Sequence, residues 1–245
     1  MNDIKYEKYP ATFCDLGLIR YDECLNLQEC VRRRVMDNQD NPGYLFFLEH
    51  PPVFTHGRLA SDENLLFDLS TLIQKGIDVR RIDRGGDFTF HGPGQLVVYP
   101  IFNLKRIHMN LREYLHALEE VIIRVLSRLG IISGREKQNM GVWVDDRKIC
   151  AIGVGVKKWV SKHGLAFNLN TDLSYFDGII PCGIGDKGVT SMKEIRDGVE
   201  QDWNEISRIT REEFVKLFRL EIEERNSEDL MEMVFAGQRE KTPMA

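Results

Sequence analysis

Between two apolar runs lies the stretch Arg84-Gly85-Gly86-Asp87-Phe88-Thr89-Phe90-His91-Gly92-Pro93-Gly94-Gln95. It contains four glycines, which is more than a turn requires. A strand accepts glycine where a ligand or another backbone must approach closely. The stretch therefore predicts a cleft in which a ligand lies against main chain. It lacks the order of a phosphate-binding loop, so the pattern gives no support for a nucleotide site.

Composition sets limits on the class of protein. The chain has 245 residues and a net charge of −5, which suits one large domain and argues against a nucleic-acid binder. No apolar run approaches the ~20 residues that span a bilayer, and no secretory signal is visible. Five cysteines without framework or zinc-site spacing indicate free thiols in a reducing compartment. We therefore expect a cytoplasmic protein without a metal or cofactor.

Short apolar runs and amphipathic segments follow one another without regular alternation, which predicts an α+β fold with a mixed, mostly antiparallel sheet flanked by helices. Helices are predicted at 21–39, 65–75, 110–129 and 210–225, the last two from capping patterns at Asn110 and Thr210. Strands are predicted at 44–48, 77–82, 96–99, 142–144, 149–152 and 165–169. We expect one catalytic domain over 1–225 and a polar, partly disordered tail over 226–245.

The triplet Pro181-Cys182-Gly183 holds the candidate nucleophile. A structural loop cysteine is an equally good interpretation of these three residues. A free thiol with a pKa near ~8.5 needs a base or a positive charge to react at neutral pH. Residue types alone favour a cysteine–histidine pair with His91 or His163, both of which adjoin glycine in loop-like contexts. Lys148 is the competing activator, although a lysine at a hairpin turn is ordinarily a solvated charge.

Other charged residues leave alternatives open. Arg84 either holds an anionic group or pairs with an acidic neighbour. His91 fits a hydrogen-bonded structural histidine better than a base. A basic patch around Trp159 is either a solvated face or a docking site for an acidic partner. The patch consists of Lys157, Lys158 and Lys162.

Five ordered blocks of this sequence resemble the lipoyl(octanoyl) transferases, the octanoyl-[acyl-carrier-protein]:protein N-octanoyltransferases of lipoate synthesis. The blocks are 49–55, 84–100, 148–153, 163–168 and 181–183. One departure is Phe90, where tyrosine is common in the family. The resemblance implies the α+β catalytic domain shared by lipoate and biotin protein ligases.

The same resemblance implies a chemistry. Cys182 would carry the acyl group as a thioester, with Lys148 as its partner in place of a histidine and with no need for ATP. The donor would be octanoyl-acyl carrier protein, and the acceptors would be lipoyl domains of 2-oxoacid dehydrogenases and the glycine cleavage H protein, with no nucleic-acid or membrane partner. The implied substrate pocket is lined by Arg84, Gly85, Gly86, Asp87, Phe88, Thr89, Phe90, His91, Ala151, Ile152, Gly153, Gly164, Leu165 and Ala166.

Two other functions compete with this one. An ATP-dependent lipoate or biotin protein ligase would share the fold and Lys148 but would need no cysteine at position 182. A binding module for acyl carriers or lipoyl domains would need neither residue.

Overall fold

The computed structural model describes residues 7–38, 40–58, 60–137, 139–180 and 187–239. Within them the strands are β1 (Tyr9–Leu18), β2 (Gly43–Glu49), β3 (Val53–His56), β4 (Asp78–Arg81), β5 (Phe88–His91), β6 (Gln95–Ile101), β7 (Gly134–Arg135), β8 (Val142–Val144), β9 (Arg147–Lys157), β10 (Val160–Asn168) and β11 (Leu220–Glu224). The helices are α1 (Tyr21–Asp37), α2 (Leu69–Gln74), α3 (Leu111–Arg128), α4 (Met192–Ile195), α5 (Trp203–Phe218) and α6 (Ser227–Arg239). Short 3-10 helices span Asp62–Asn64 and Leu173–Gly178.

Two sheets organise the chain. The larger is eight-stranded in the order β11-β1-β2-β6-β10-β9-β8-β7, and the smaller is three-stranded in the order β4-β3-β5. Strand β1 runs parallel to both of its neighbours, whereas the pairs from β2 to β7 are antiparallel. In the small sheet β3 is parallel to β4 and antiparallel to β5. The predicted α+β fold with a mixed, mostly antiparallel sheet is confirmed.

Helices cover both faces of the large sheet. Neighbouring residues of a strand point to opposite faces, and in β2 Leu45 and Phe46 belong to different core clusters. The cluster around Leu45 is closed by residues of α3 and α5. The cluster around Phe46 is closed by residues of α1 and α6. Because both faces are covered, β6 is buried along its whole length.

Most predicted elements are present, with shifted ends. The helix predicted over 21–39 is α1, which ends at Asp37, and position 39 lies outside the described residues. The predicted capping box of α3 is formed by Asn110 and Glu113. The helix predicted over 65–75 is wrong in its first turn: α2 begins only after Asp68, whose Oδ1 accepts a hydrogen bond from Thr71 N at 2.8 Å.

The end of the chain differs more from the prediction. Thr210 does not begin a helix but lies inside α5, where its hydroxyl donates to Ile206 O at 2.7 Å; the N-cap of α5 is Asp202. Residues 227–239, which the sequence assigned to a polar tail, form α6, and residues 240–245 lie outside the described part of the chain. Leu230 of α6 is buried against α1, because successive turns of the helix place apolar side chains on that face.

Candidate active site

The glycine-rich stretch forms one wall of a cavity of about 560 Å³. The opposite wall is the β9–β10 hairpin. All of the substrate-pocket residues predicted from the sequence line this cavity except Phe90. The ring of Phe90 instead stacks on Tyr175, with centroids 4.6 Å apart. The further lining residues are Tyr21, Arg58, Tyr99, Leu111, Leu115, Asn139, Met140, Lys148, Val154 and His163.

The β9–β10 hairpin presents small side chains to the cavity. The register of β9 and β10 places Gly153 opposite Gly164, and Ala151 opposite Ala166. A Cβ at position 153 would lie 3.0 Å from Arg84 Cδ and 3.3 Å from Gly85 O. Gly85 N also donates to Val154 O at 3.2 Å. Two backbones therefore approach each other here, at Gly85 and Val154. The sequence predicted instead a ligand against the main chain of the glycine-rich stretch, and that ligand stays a prediction. The loop-like setting predicted for the neighbouring histidines is wrong, since His91 belongs to β5 and His163 to β10.

Arg84 is buried in the cavity wall. Its Nη2 donates to Thr55 O and to Thr55 Oγ1, both at 2.8 Å, and its Nη1 donates to Gly85 O at 3.0 Å. These bonds fix the guanidinium group and the start of the glycine-rich stretch against β3. The two roles predicted for Arg84, an anion site or an acidic pair, stay predictions.

Lys148 is only 6% exposed, so it is not the solvated hairpin lysine that its position suggested. Its Nζ lies 4.9 Å from the centre of the Trp143 ring, within reach of a cation–π interaction. Its backbone NH donates to Gly188 O at 3.0 Å, and its carbonyl accepts from Thr190 N at 2.9 Å. The chain that follows residue 186 is therefore hydrogen-bonded alongside Lys148. Cys182 itself lies outside the described residues.

The histidines near the cavity are neutral at neutral pH. His91 Nδ1 donates to Gln95 Oε1 at 2.8 Å, and burial lowers the pKa of His91 well below its usual value. Burial also lowers the pKa of His163 to about 4, although Asp83 opposes that shift. A neutral imidazole supplies no positive charge to stabilise a thiolate. The structure therefore gives His91 the hydrogen-bonded environment that its structural interpretation expected.

The predicted basic patch is wrong for Lys162. This lysine is 2% exposed, and its Nζ lies 2.5 Å from Glu29 Oε1 and 2.6 Å from Asp83 Oδ1. Lys157 and Lys158 are exposed at the β9–β10 turn. The burial of Lys162 could not be predicted locally, because Glu29 and Asp83 are distant from it along the chain.

Several lining residues had no signal in the sequence. Tyr21 is the first residue of α1, and Leu111 is the first residue of α3. Tyr99 follows the apolar run of β6 and donates its hydroxyl to His50 Nε2 at 3.0 Å. Such residues face the cavity only because of how distant elements pack together.

Within the described ranges no group of three or more His, Cys, Asp or Glu side chains is arranged to hold a metal ion. Among the same residues no helix combines the length and the apolar character needed to cross a membrane.

Comparison with solved structures identifies the fold. A putative lipoate protein ligase from T. acidophilum, solved with bound lipoic acid, superposes with a TM-score of 0.71 at 16% identity, covering 94% of this chain and 96% of the other. A lipoate-protein ligase A bound with ATP gives a TM-score of 0.72 at 16% identity, with 96% of each chain covered. At this identity the likeness concerns the fold alone, and it confirms the ligase-like catalytic domain expected from the sequence.

Sequence comparison is more specific. The chain is 42% identical over 210 residues to an octanoyltransferase of Thermoanaerobacter pseudethanolicus, covering 85% of this chain and 90% of the relative. It is 46% identical over 189 residues to an octanoyltransferase of Bacteroides fragilis, covering 74% of this chain and 86% of the relative. Residues 20–222 match the model of the lipoyl protein ligase A/B catalytic domain. This chain therefore belongs to the family of lipoyl protein ligase A/B catalytic domains.

Proposed function

We propose that this chain moves an octanoyl group from octanoyl-acyl carrier protein to a lysine of an apo lipoyl domain, through a thioester on Cys182. Relatives that are 42–46% identical to it carry the name octanoyltransferase. The chain is accordingly an acyltransferase that transfers octanoyl groups in lipoate biosynthesis. Beyond octanoyl transfer itself, we propose the identity of the donor protein, the identity of the acceptor protein and the thioester on Cys182.

The burial of Lys148 in the cavity wall is the observation that supports this chemistry most. An ammonium group next to a thiol favours the thiolate and lowers the pKa of that thiol. Its effect is strong where water is largely excluded. Lys148 donates its backbone NH to Gly188 O and accepts at its carbonyl from Thr190 N, so residues 188–190 are hydrogen-bonded to the same strand. A cysteine–lysine pair is therefore a better candidate than a cysteine–histidine pair.

The proposed reaction has two balanced steps. The Cys182 thiolate attacks the thioester carbonyl of the donor, a new C–S bond forms, and the donor thiolate leaves and takes a proton from the Lys148 ammonium. The neutral Lys148 amine then accepts a proton from the acceptor lysine, whose free amine attacks the acyl enzyme. An amide forms, Cys182 leaves as a thiolate, and one proton passes to solvent.

The cavity suits an aliphatic chain. Small residues on the hairpin wall leave room beside the main chain, and its volume falls within the ~300–1,000 Å³ of ordinary ligand pockets. On a rough scale of ~30 Å³ per water-sized group, the nine non-hydrogen atoms of an octanoyl group take up on the order of 270 Å³. The group therefore fits with space left over.

The cysteines within the described residues are poor nucleophiles. All of them are buried. Burial raises the pKa of Cys14 to about 12 and that of Cys150 well above its usual value. Cys150 nevertheless lies on β9, two residues from Lys148, which makes it the matched control for Cys182.

Intact-mass spectrometry tests the covalent intermediate. Incubation with octanoyl-carrier protein, without ATP, should add one octanoyl group to the wild type and to Cys150→Ala, but none to Cys182→Ala. Octanoyl transfer by Cys182→Ala at the wild-type rate would contradict the proposed mechanism. Adenylate formation from free octanoate and ATP would support a ligase instead, and an absence of both reactions would support a binding module.

The role of Lys148 needs a separate measurement. The rate of Cys182 alkylation against pH should show a midpoint below that of a free thiol in the wild type, and Lys148→Met should raise this midpoint. Lys187→Met is the matched control, because Lys187 Nζ also lies over the Trp143 ring, at 5.4 Å. An unchanged midpoint in Lys148→Met would refute electrostatic activation of Cys182 by Lys148.

A further inference from the structure

One buried carboxylate near Lys148 has no part in the proposed chemistry. Glu119 belongs to α3 and is 2% exposed. Its Oε2 accepts a hydrogen bond from Arg135 Nε at 2.9 Å and lies 3.0 Å from His116 Nδ1. Its Oε1 accepts a hydrogen bond from Gly141 N at 3.2 Å. A carboxylate is seldom buried unless it is paired and hydrogen-bonded, and these three contacts meet that condition.

The contact with Gly141 reaches the loop between β7 and β8. We call residues 139–141 of this loop the clamp, because two of them line the cavity and the third packs on Lys148. A Cβ at position 141 would lie 2.5 Å from Cys150 O and 3.4 Å from both Lys148 Cδ and Lys148 Cε. Gly141 also has a φ of 132°, which residues with a side chain rarely adopt. The bare backbone of the clamp therefore lies directly on the aliphatic stem of Lys148.

A second hydrogen bond holds the other end of the clamp. Trp143 Nε1 donates to Asn139 O at 3.2 Å. Trp143 pairs with Lys148 across β8 and β9, and its ring is the one that the Lys148 ammonium faces. The clamp and the indole ring together cover this lysine from its stem to its ammonium group. This cover explains why a lysine beside a hairpin turn is so little exposed.

The charges of Glu119 and Lys148 act on one shared neighbour. Burial is the largest influence on the Cys150 thiol and raises its pKa; the Lys148 ammonium lowers that pKa, and the Glu119 carboxylate raises it. A charge shifts the pKa of another group in this way only when the two groups are close. Glu119 and Lys148 therefore lie in one neighbourhood, although they belong to different elements of the fold.

Neutralising Arg135 does not by itself account for Glu119. Arg135 Nη2 also donates to Glu120 Oε2 at 2.7 Å. The Glu120 side chain is 31% exposed, so it pairs with Arg135 at a smaller desolvation cost than a buried carboxylate does. In the part of the chain that the structure describes, the hydrogen bond to Gly141 N distinguishes Glu119 from this neighbour. The buried position of Glu119 is therefore explained by its contact with the clamp rather than by Arg135 alone.

We propose that Glu119 is a positioning residue for octanoyl transfer: it holds the clamp on Lys148 and so fixes the ammonium group in the cavity wall. The inference rests on the proposed role of Lys148. If the clamp opened, the Lys148 side chain would regain rotamer freedom and hydration. The ammonium would then spend less time where it can act on the Cys182 thiol, because catalytic groups depend on a fixed geometry. Loss of this hold should therefore lower kcat.

The chemical reactivity of Lys148 measures the hold directly. A covered lysine is acetylated by N-hydroxysuccinimide acetate only when its cover opens, and peptide mass spectrometry measures the rate at each lysine. Glu119→Leu should raise the rate at Lys148 about tenfold, which corresponds to about 1.4 kcal/mol, the scale of one hydrogen bond to a charged acceptor. Lys162, which is 2% exposed and bound by other carboxylates, is the internal standard, and its rate should not change. An unchanged rate at Lys148, or an equal rise at Lys162 from general loosening of the fold, would overturn the proposal.

Three further variants separate the hold from other effects. Glu119→Gln keeps an oxygen for Gly141 N, so the Lys148 rate should stay within about threefold of the wild type; a tenfold rise would assign the effect to charge and contradict the hold. Glu120→Leu is the matched control, because it removes a carboxylate partner of Arg135 but not the contact with the clamp, and it should leave the rate unchanged. Trp143→Phe removes the hydrogen bond to Asn139 O and keeps a ring; it should raise the rate severalfold at Lys148 alone, and it tests the clamp even if Glu119→Leu does not fold.

Turnover connects the clamp to the reaction. With octanoyl-carrier protein, kcat of Glu119→Leu should fall about tenfold, and that of Glu119→Gln should stay within about threefold of the wild type. A wild type that transfers no octanoyl group, together with the expected acetylation pattern, would refute the proposed function and support the clamp. A wild type that transfers octanoyl groups, together with a Glu119→Leu variant that matches it in kcat and in Lys148 acetylation, would do the reverse.

Discussion

Replacing Gly164 by alanine should separate two strands of the large sheet. A Cβ at position 164 would lie 2.1 Å from Val98 O and 2.6 Å from Pro100 Cδ. Non-bonded contacts are comfortable at ~3.5–4.0 Å, so β6 and β10 would have to move apart by about 1.4 Å or more at Val98 O. Both obstacles belong to the backbone or to a proline ring, and neither can rotate away.

The cost follows from these distances. Overpacking a core costs about 1–3 kcal/mol, and one or two weakened β6–β10 hydrogen bonds add about 1 kcal/mol each. We expect a total loss of about 3–4 kcal/mol in the free energy of unfolding. Unfolding entropy of ~2.1 cal/mol/K per residue, taken over 245 residues, converts this loss to a fall of about 6–8 °C in Tm.

Differential scanning calorimetry of three variants checks the argument. Gly134→Ala is the control, because a Cβ there would have no heavy atom within 4 Å; its Tm should stay within about 1 °C of the wild type. Gly153→Ala would meet Arg84 Cδ at 3.0 Å and Gly85 O at 3.3 Å. Its Tm should fall less than that of Gly164→Ala, and its KM should rise because the cavity is narrower. A Tm for Gly164→Ala equal to that of Gly134→Ala would refute the steric reasoning.

Three further predictions concern charge. Lys162→Met should lower the free energy of unfolding at pH 7 by about 1 kcal/mol, because it removes the partner of two partly exposed carboxylates that solvent screens. The pKa values of Glu29 and Asp83 lie below their usual range, so the loss in urea titrations should shrink as the pH falls below ~4. Burial lowers the pKa values of His50 and His163 to about 4; the unfolded chain, with pKa ~6.5, therefore binds more protons as the pH falls. At pH 5 each of these two histidines should therefore lower the free energy of unfolding by about 2 kcal/mol relative to pH 7.5. A free energy of unfolding from urea titrations that does not change over this pH range would contradict the neutrality of the two histidines. Reversing the charges of Lys157 and Lys158 should slow the reaction with an acidic carrier protein at low salt, because the lysines would attract that protein. The reaction with a small octanoyl thioester should be unchanged. Stopped-flow rates that fall equally for both donors would exclude electrostatic steering.

Elements with local signals could be predicted from the sequence. The capping box at Asn110 specifies the start of α3 through neighbours three residues apart. The same pattern at Thr210 led to a wrong prediction, because a threonine with a glutamate three residues later also occurs inside helices. There the threonine hydroxyl bonds back to the preceding turn. The actual N-cap, Asp202, lies eight residues earlier.

Some residues of the candidate site also have a local signal in the sequence, and others do not. The glycines between Arg84 and Gln95 predicted a cleft lined by main chain, because glycine content is a local property of the sequence; Gly85 and Gly86 line the cavity. The burial of Lys162 could not be predicted, since its partners Glu29 and Asp83 come from α1 and from the segment after β4. The same is true of Tyr21, which faces the cavity because α1 packs over β10. The pairing of Cys182 with Lys148 stays a prediction.

The parallel pairing of β1 with β11 joins a strand that is synthesised early with one that is synthesised late. Tyr9 pairs with Leu220, so β11 leaves the ribosome after every other strand of the large sheet. Until then one edge of β1 has open hydrogen-bonding groups, and an open edge invites pairing with other chains. At ~5–20 residues per second, the intervening residues take on the order of 10–40 s to synthesise. For that interval the nascent chain depends on protection of its β1 edge, and its yield in the cell should be sensitive to holding chaperones.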